Sequence, residues 1–363
     1  VTLAPRPDGA DRIRKDQWHL SYLKVAEAHQ ISQGENITVA VPDTGVDPHP
    51  DLRTNLLTGT DIIPGGPGDG RKDENSHGTS MAGLIAAHGQ IKNLGALGIA
   101  PKAKILPIRV STSDNLGQAN DLAAGIEYAI KRGASVISIS SAGATSQRLI
   151  QAVNAAIAAN IVVVAGVGNL PAATRIGYPA SREDVIAVSG IDQSGNHATI
   201  SIRGPGIDVA APAVDIYSTS YGARYSKGTG TSSATAIVAG AAALIRSKYP
   251  YLPASEVAHR LTATAVDKGP PGRDDQYGYG VIDLVAALTA DVPPLGFGPA
   301  TASAPAAAAP STTAAAQPGD GGDHGAAVRG WVTLGVLVAA SVAWALIARH
   351  RRRGADPPPR ISR

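Results

Sequence analysis

Cysteine is absent from all 363 positions, and methionine and phenylalanine occur once each. The missing thiols exclude a disulfide framework and leave the redox state of the compartment unreadable from this chain. Charge is also sparse, at 17% of residues against 44% apolar ones. A chain of this length and composition buries a large α/β core without covalent staples. At Val1 there is no initiating methionine, no basic n-region and no apolar h-region, so a mature or trimmed form is expected. The formal net charge of +3 does not indicate a nucleic-acid partner. Six arginines and one aspartate after Ala348 contribute +5, which leaves the rest of the chain near −2.

What the chain does carry is three short glycine-bearing stretches. Asp43, Thr44 and Gly45 end the apolar run from Ile37 to Pro42, the pattern of a buried parallel strand that delivers a side chain at its carboxyl end. His77, Gly78 and Thr79 open the stretch from Met81 to Ala87, which is too rich in alanine for a strand and reads as a buried helix. Gly230, Thr231 and Ser232 open the segment Ala234 to Ile245, whose alanines and glycine indicate a tightly packed central helix. Taken singly, Ser232 reads as a helix N-cap, Asp43 as a turn residue and His77 as a surface histidine. Taken together they are a hydroxyl, a carboxylate and an imidazole, the components of a serine hydrolase. A fourth stretch, Ile161 to Val167 followed by Gly168 and Asn169, ends a strand in an amide that can donate to an oxyanion.

These motifs resemble those of the subtilisin family of serine proteases (peptidase S8), and the resemblance runs from about Trp18 to Leu288. Asp43 in Val-Pro-Asp-Thr-Gly-Val, His77 in His-Gly-Thr-Ser-Met-Ala-Gly and Ser232 in Gly-Thr-Ser-Ser-Ala-Thr-Ala-Ile-Val-Ala-Gly look like the family's triad. The order Asp, His, Ser is that of subtilisin. Asn169 matches the family's oxyanion-hole asparagine. The resemblance implies acyl transfer from a polypeptide substrate, with no metal and no organic cofactor. It also implies a peptide laid as a strand between Asn115, Leu116 and Gly117 on one side and Ser140, Ser141, Ala142 and Gly143 on the other. Gly177 resembles the glycine at the base of the pocket for the residue preceding the cut.

Two positions depart from the family pattern. Ala236 stands where most relatives have proline, and alanine is the better helix former. The segment from His88 to Gly98, where many relatives carry a calcium-binding loop, contains no Asp or Glu. With Asp51 as the only nearby carboxylate, a strong calcium site is not expected there.

The C-terminal quarter changes character twice. Ala, Pro, Thr, Ser and Gly dominate residues 293–327, a composition that forms a linker and not a core. Gly330 to Ala348 then runs 19 residues without a charge and precedes Arg349, His350, Arg351, Arg352 and Arg353. At helical rise it covers about 28 Å, close to the thickness of a bilayer's hydrocarbon core. The expectation is a single transmembrane helix over 328–349, with the basic tail 350–363 cytoplasmic and the protease domain outside. This layout, together with Gln17, Trp18, His19 and Leu20, resembles the mycosins, membrane-anchored subtilisin-like proteases associated with type VII secretion.

The expected fold is therefore α/β: a subtilisin-like three-layer domain over 31–292 with a mostly parallel central sheet, preceded by an N-terminal extension over 1–30. Ile105 to Val110, Val136 to Ser140, Ile161 to Ala165 and Val185 to Val188 read as strands. Asn120 to Arg132 and Arg148 to Ala159 read as the intervening helices. The function expected is membrane-anchored serine endopeptidase. The alternative is a structural component of a secretion complex in which proteolysis is dispensable.

Overall fold

The computed structural model describes residues 9–65, 67–91, 93–112, 118–140 and 145–295. In chain order the elements are α1 (Ile13–Asp16), α2 (Trp18–Tyr22), α3 (Val25–Ala28), β1 (Thr38–Asp43), β2 (Thr60–Asp61), α4 (His77–Ala86), β3 (Lys104–Arg109) and α5 (Ala119–Lys131). They continue with β4 (Val136–Ile139), α6 (Gln147–Ala158), β5 (Val162–Gly166), β6 (Ile186–Ile191), β7 (Val209–Pro212), β8 (Ile216–Ser220), β9 (Arg224–Gly228), α7 (Thr231–Lys248), α8 (Ala254–Ala263) and α9 (Leu284–Thr289). The strands and helices expected between Ile37 and Ile245 are present, with ends shifted by at most four residues.

Seven strands form one sheet in the order β2-β3-β1-β4-β5-β6-β7, and every neighbouring pair is parallel. Side chains alternate between its faces, as the period of two requires. Val39, Val41, Val136, Val162 and Val164 join one core cluster with α4 and α7. Ala40, Ile137, Ile139, Val163 and Ala165 join the other with α5 and α6. This α/β/α sandwich is the three-layer arrangement expected.

The helix sequences show why each sits where it does. On α6, Leu149, Ala152, Val153 and Ala156 are buried at the i, i+3, i+4, i+7 spacing of a one-sided helix. Ser146 caps it by accepting the Leu149 N–H at 3.1 Å. α7 is instead buried on all sides from Thr231 to Arg246, which its small residues permit.

The sheet order reverses direction between β1 and β4, since β3 follows β1 on one side and β4 lies on the other. In such sheets the crevice outside the carboxyl ends at this switch point is where ligands bind. β1 ends at Asp43, and Ser140 follows β4 directly.

The described part of the N-terminal extension lies against the α/β/α fold. Ile13, Leu23, Val25 and Ala28 are buried in the α4/α7 cluster. Arg14 donates to Asn93 Oδ1 at 3.2 Å and to the carbonyls of Leu94 and Gly95 at 3.1 Å each. Gln17 donates to Leu97 O and accepts the Leu97 N–H. The loop without carboxylates is thus held by a guanidinium. Buried Asp51 beside it accepts from Gln90, the Ala96 N–H and the Tyr225 hydroxyl at 2.9, 2.7 and 2.8 Å.

The predicted span 328–349, the linker beyond residue 295 and the basic tail lie outside the described residues. Among the described residues, no helix is long and apolar enough to cross a membrane.

Candidate active site

Asp43 is the last residue of β1 and is 8% exposed. Its Oδ1 accepts the Thr44 N–H and faces His77 Nδ1, both at 2.7 Å. An ionised carboxylate only accepts, so this contact places the imidazole proton on Nδ1 and leaves Nε2 basic. His77 is the first residue of α4 and lines a cleft of about 360 Å³, while Asp43 stands behind it. The two backbones nearly touch here. A Cβ on Gly78 would lie 2.1 Å from Gly45 O and 3.2 Å from Asp43 Cβ, so only glycine after His77 lets α4 start this close to β1.

Ser232 lines the same cleft. α7 begins at Thr231 with Gly230 as its N-cap residue, so Ser232 is inside the first turn and does not cap the helix. Its hydroxyl donates to Ser140 O at 3.2 Å, across the end of β4. The N–H groups of a helix's first turn have no intrahelical acceptor and carry the positive end of its dipole. One of them, from Thr231, donates to Asn169 Oδ1 at 2.8 Å. That bond fixes the orientation of the amide, because a backbone N–H needs the oxygen. The NH2 end of Asn169 therefore remains as a donor near the start of α7. Gly230 makes the approach possible: a Cβ there would meet Asn169 Nδ2 at 3.2 Å.

The remaining sequence-predicted positions divide into three groups. Ser140 lines the cleft through its own residue and through the carbonyl that Ser232 meets. Gly177 is outside the cleft-lining residues, and its carbonyl accepts the Ser181 N–H at 3.0 Å. Asn115, Leu116, Gly117, Ser141, Ala142 and Gly143 lie outside the described residues. Gly166, Gly168, Ala172 and Ala173 also line the cleft, a wall of small residues that sequence reasoning did not single out. Among the described residues, none from 9 to 28 lines it.

Sequence reasoning also missed how α4 is held. Ser218 and Thr219 of β8 donate to the carbonyls of Ser80 and Thr79 at 2.8 and 2.7 Å. Ser220 donates to Ser76 Oγ at 2.9 Å, one residue before His77. A run of serine and threonine gives no sign in sequence of the helix it will meet.

A sequence model described as the Subtilase family matches residues 34–280. Subtilisin BL from Lederbergia lenta is 38% identical over 272 residues, covering 74% of this chain and 97% of that protein. Among solved structures, the serine protease MycP1, described as an essential component of the type VII (ESX-1) secretion system, is 34% identical. It superposes with a TM-score of 0.69, covering 79% of this chain and 91% of that one. MycP3 protease from the type VII (ESX-3) secretion system is 32% identical, with a TM-score of 0.67 over 79% of this chain and 91% of that one.

Proposed function

The chain belongs to the subtilase family and is a serine endopeptidase, and on that premise we propose that Asp43, His77 and Ser232 are its catalytic triad and Asn169 its oxyanion donor. The observation that carries this reading is the 2.7 Å Asp43–His77 contact, with His77 and Ser232 lining one cleft. His77 Nε2 takes the Ser232 proton as Oγ attacks a peptide carbonyl, then returns it to the leaving amine. The Ser232 hydroxyl leaves its 3.2 Å bond to Ser140 O to do so, a weak contact that costs little to exchange. Asp43 keeps the ring in the required tautomer and balances its charge when protonated. Asn169 Nδ2 and the Ser232 N–H receive the oxyanion. Water then repeats the sequence on the acyl-enzyme.

The polypeptide lies along the cleft, with 115–117 and 140–143 as its flanking segments and Gly177 near the pocket for the residue before the cut. The same reading assigns 31–292 to the protease domain, 293–327 to a linker, 328–349 to a membrane span and 350–363 to a cytoplasmic tail. The domain then works outside the membrane, in the setting of type VII secretion that the likeness to MycP1 and MycP3 supports. The experiment is labelling of the full chain with a fluorophosphonate probe. Wild type is labelled and Ser232→Ala is not; folded wild type that resists the probe sinks the catalytic assignment. The same variant weighs cutting against scaffolding. Loss of secretion with the complex still assembled assigns the essential contribution to proteolysis, and normal secretion assigns it to the scaffold.

A further inference from the structure

A second buried carboxylate, Asp73, bonds to residues on either side of the Asp43–His77 pair. Asp73 lies in the loop before α4 and is 3% exposed. Its Oδ1 accepts the Thr44 hydroxyl at 2.9 Å and the N–H groups of Asn75 and Ser76 at 2.9 and 3.0 Å. Its Oδ2 accepts the Thr79 N–H at 2.9 Å and the Thr79 hydroxyl at 2.6 Å. Five donors from two chain segments converge on one buried group. Neither segment is arbitrary: Thr44 follows Asp43, and Ser76 and Thr79 bracket His77.

The two threonines extend the reach of this carboxylate. Each hydroxyl has one proton, and in both it is spent on Asp73. The lone pairs then accept the Gly78 N–H on Thr44 at 2.9 Å and the Asp47 N–H on Thr79 at 2.9 Å. The Asp43 side of the site is thereby bonded to the His77 side, and the reverse. Ser76 adds a further reason for the arrangement. Its φ of 87° is in the left-handed region that a serine seldom adopts, and such backbone persists only where its surroundings over-determine it. The bond from Ser76 N–H to Asp73 Oδ1 is one of those constraints, and it fixes the direction in which α4 presents His77.

We propose that Asp73 is a positioning residue for the Asp43–His77 pair, holding the backbone after the carboxylate and around the imidazole in one rigid unit. The proposal rests on the catalytic assignment above and deepens it. Asp73→Asn retains shape but has one acceptor oxygen. With that oxygen kept towards Thr44, Asn75 and Ser76, its NH2 group faces the Thr79 N–H, donor against donor. α4 then loses the anchor of its first turn.

The test is the kinetics of fluorophosphonate labelling in the full chain, separating the final labelled fraction from the limiting rate and the half-saturating probe concentration. Asp73→Asn is expected to label completely, at a limiting rate lower by roughly 10- to 100-fold and an unchanged half-saturation, the size of loss that a displacement of about 1 Å produces. Thr44→Val removes one arm and is expected to slow labelling in the same way, with Thr44→Ser returning close to the wild-type rate. A role in folding alone gives a smaller labelled fraction with an unchanged rate, and that result, or a wild-type rate in Asp73→Asn, overturns the proposal. If Asp73→Asn does not fold, the Thr44 pair decides: equal rates for Val and Ser overturn it. Failure of wild type to label refutes the catalytic assignment instead, so the two failures are distinct.

Discussion

Asn169 has two ends with two tasks, and substitutions can separate them. Its oxygen satisfies the Thr231 N–H at 2.8 Å, and its NH2 group is the proposed oxyanion donor. Asn169→Ala loses both. Loss of one oxyanion donor lowers turnover by about 10²–10³, or roughly 2.7–4 kcal/mol, a magnitude measured in a subtilisin. Loss of the acceptor at the start of α7 costs about 1 kcal/mol, as for other capping groups, which lowers Tm by roughly 2–4 °C in a domain of this size. Asn169→Asp is close to isosteric and keeps an oxygen for Thr231. Its charge also favours the helix N-terminus, so Tm is expected to match or exceed wild type.

Its activity should be worse than that of the alanine variant. The second carboxylate oxygen faces the developing oxyanion, and two like charges about 4 Å apart at an effective dielectric of 20 repel by about 4 kcal/mol. Added to the lost donor, the deficit is roughly 7 kcal/mol, or about 10⁵-fold in rate. The assay pairs fluorophosphonate labelling rates with thermal melts at neutral pH. Alanine should be the less stable and aspartate the less active of the two variants. An aspartate variant that labels faster than alanine would refute the orientation assigned to the amide. An alanine variant with wild-type Tm would refute the role given to its oxygen.

Two further outcomes follow from groups outside the cleft. Arg14→Ala removes the bonds to Asn93, Leu94 and Gly95 and is expected to cost about 1–3 kcal/mol, read as a lower Tm in calorimetry. The labelling rate of the folded protein should not change, since Arg14 does not line the cleft; a slower rate would mean that the extension reaches the site. Asp208 is pushed up from the ordinary 3.8 to about 6, chiefly by burial, against the opposing Ala187 N–H and Arg273. The folded state therefore binds the proton more tightly than the unfolded chain, so stability is highest below about pH 4 for this group and is lost as pH rises through 6. Asp208→Asn keeps an oxygen for Ala187 and should remove that slope, gaining on the order of 2–3 kcal/mol above pH 6. Melting curves from pH 4 to 8 check this, and an unchanged slope would reject it.

Apolar runs and alanine-rich stretches were sufficient to locate β1, β3 to β6, α4 and α7, because burial on both faces leaves a continuous apolar segment in the local sequence, and the one-sided burial of α5 and α6 leaves a periodic one. The β8–β9 hairpin was not legible. β9 is largely exposed and polar, and β8 carries Ser218, Thr219 and Ser220 for use against α4. Asp73 was invisible for a related reason. In Asp-Glu-Asn-Ser it reads as a loop aspartate, and its function depends on Thr44, 29 positions earlier.

By itself the sequence determined which chemical groups are available: a carboxylate at a strand end, an imidazole and a hydroxyl at helix starts, and an amide after a glycine. These are local properties, set by side chains and by hydrogen bonding within a few residues. Only the tertiary structure decided that Asp43 meets His77 at 2.7 Å, that Ser232 faces Ser140 across the switch point, and that Thr231 turns the Asn169 amide. Distances of that kind come from packing two helices on one twisted sheet and from a buried carboxylate that bonds two loops, and no span of contiguous residues contains them.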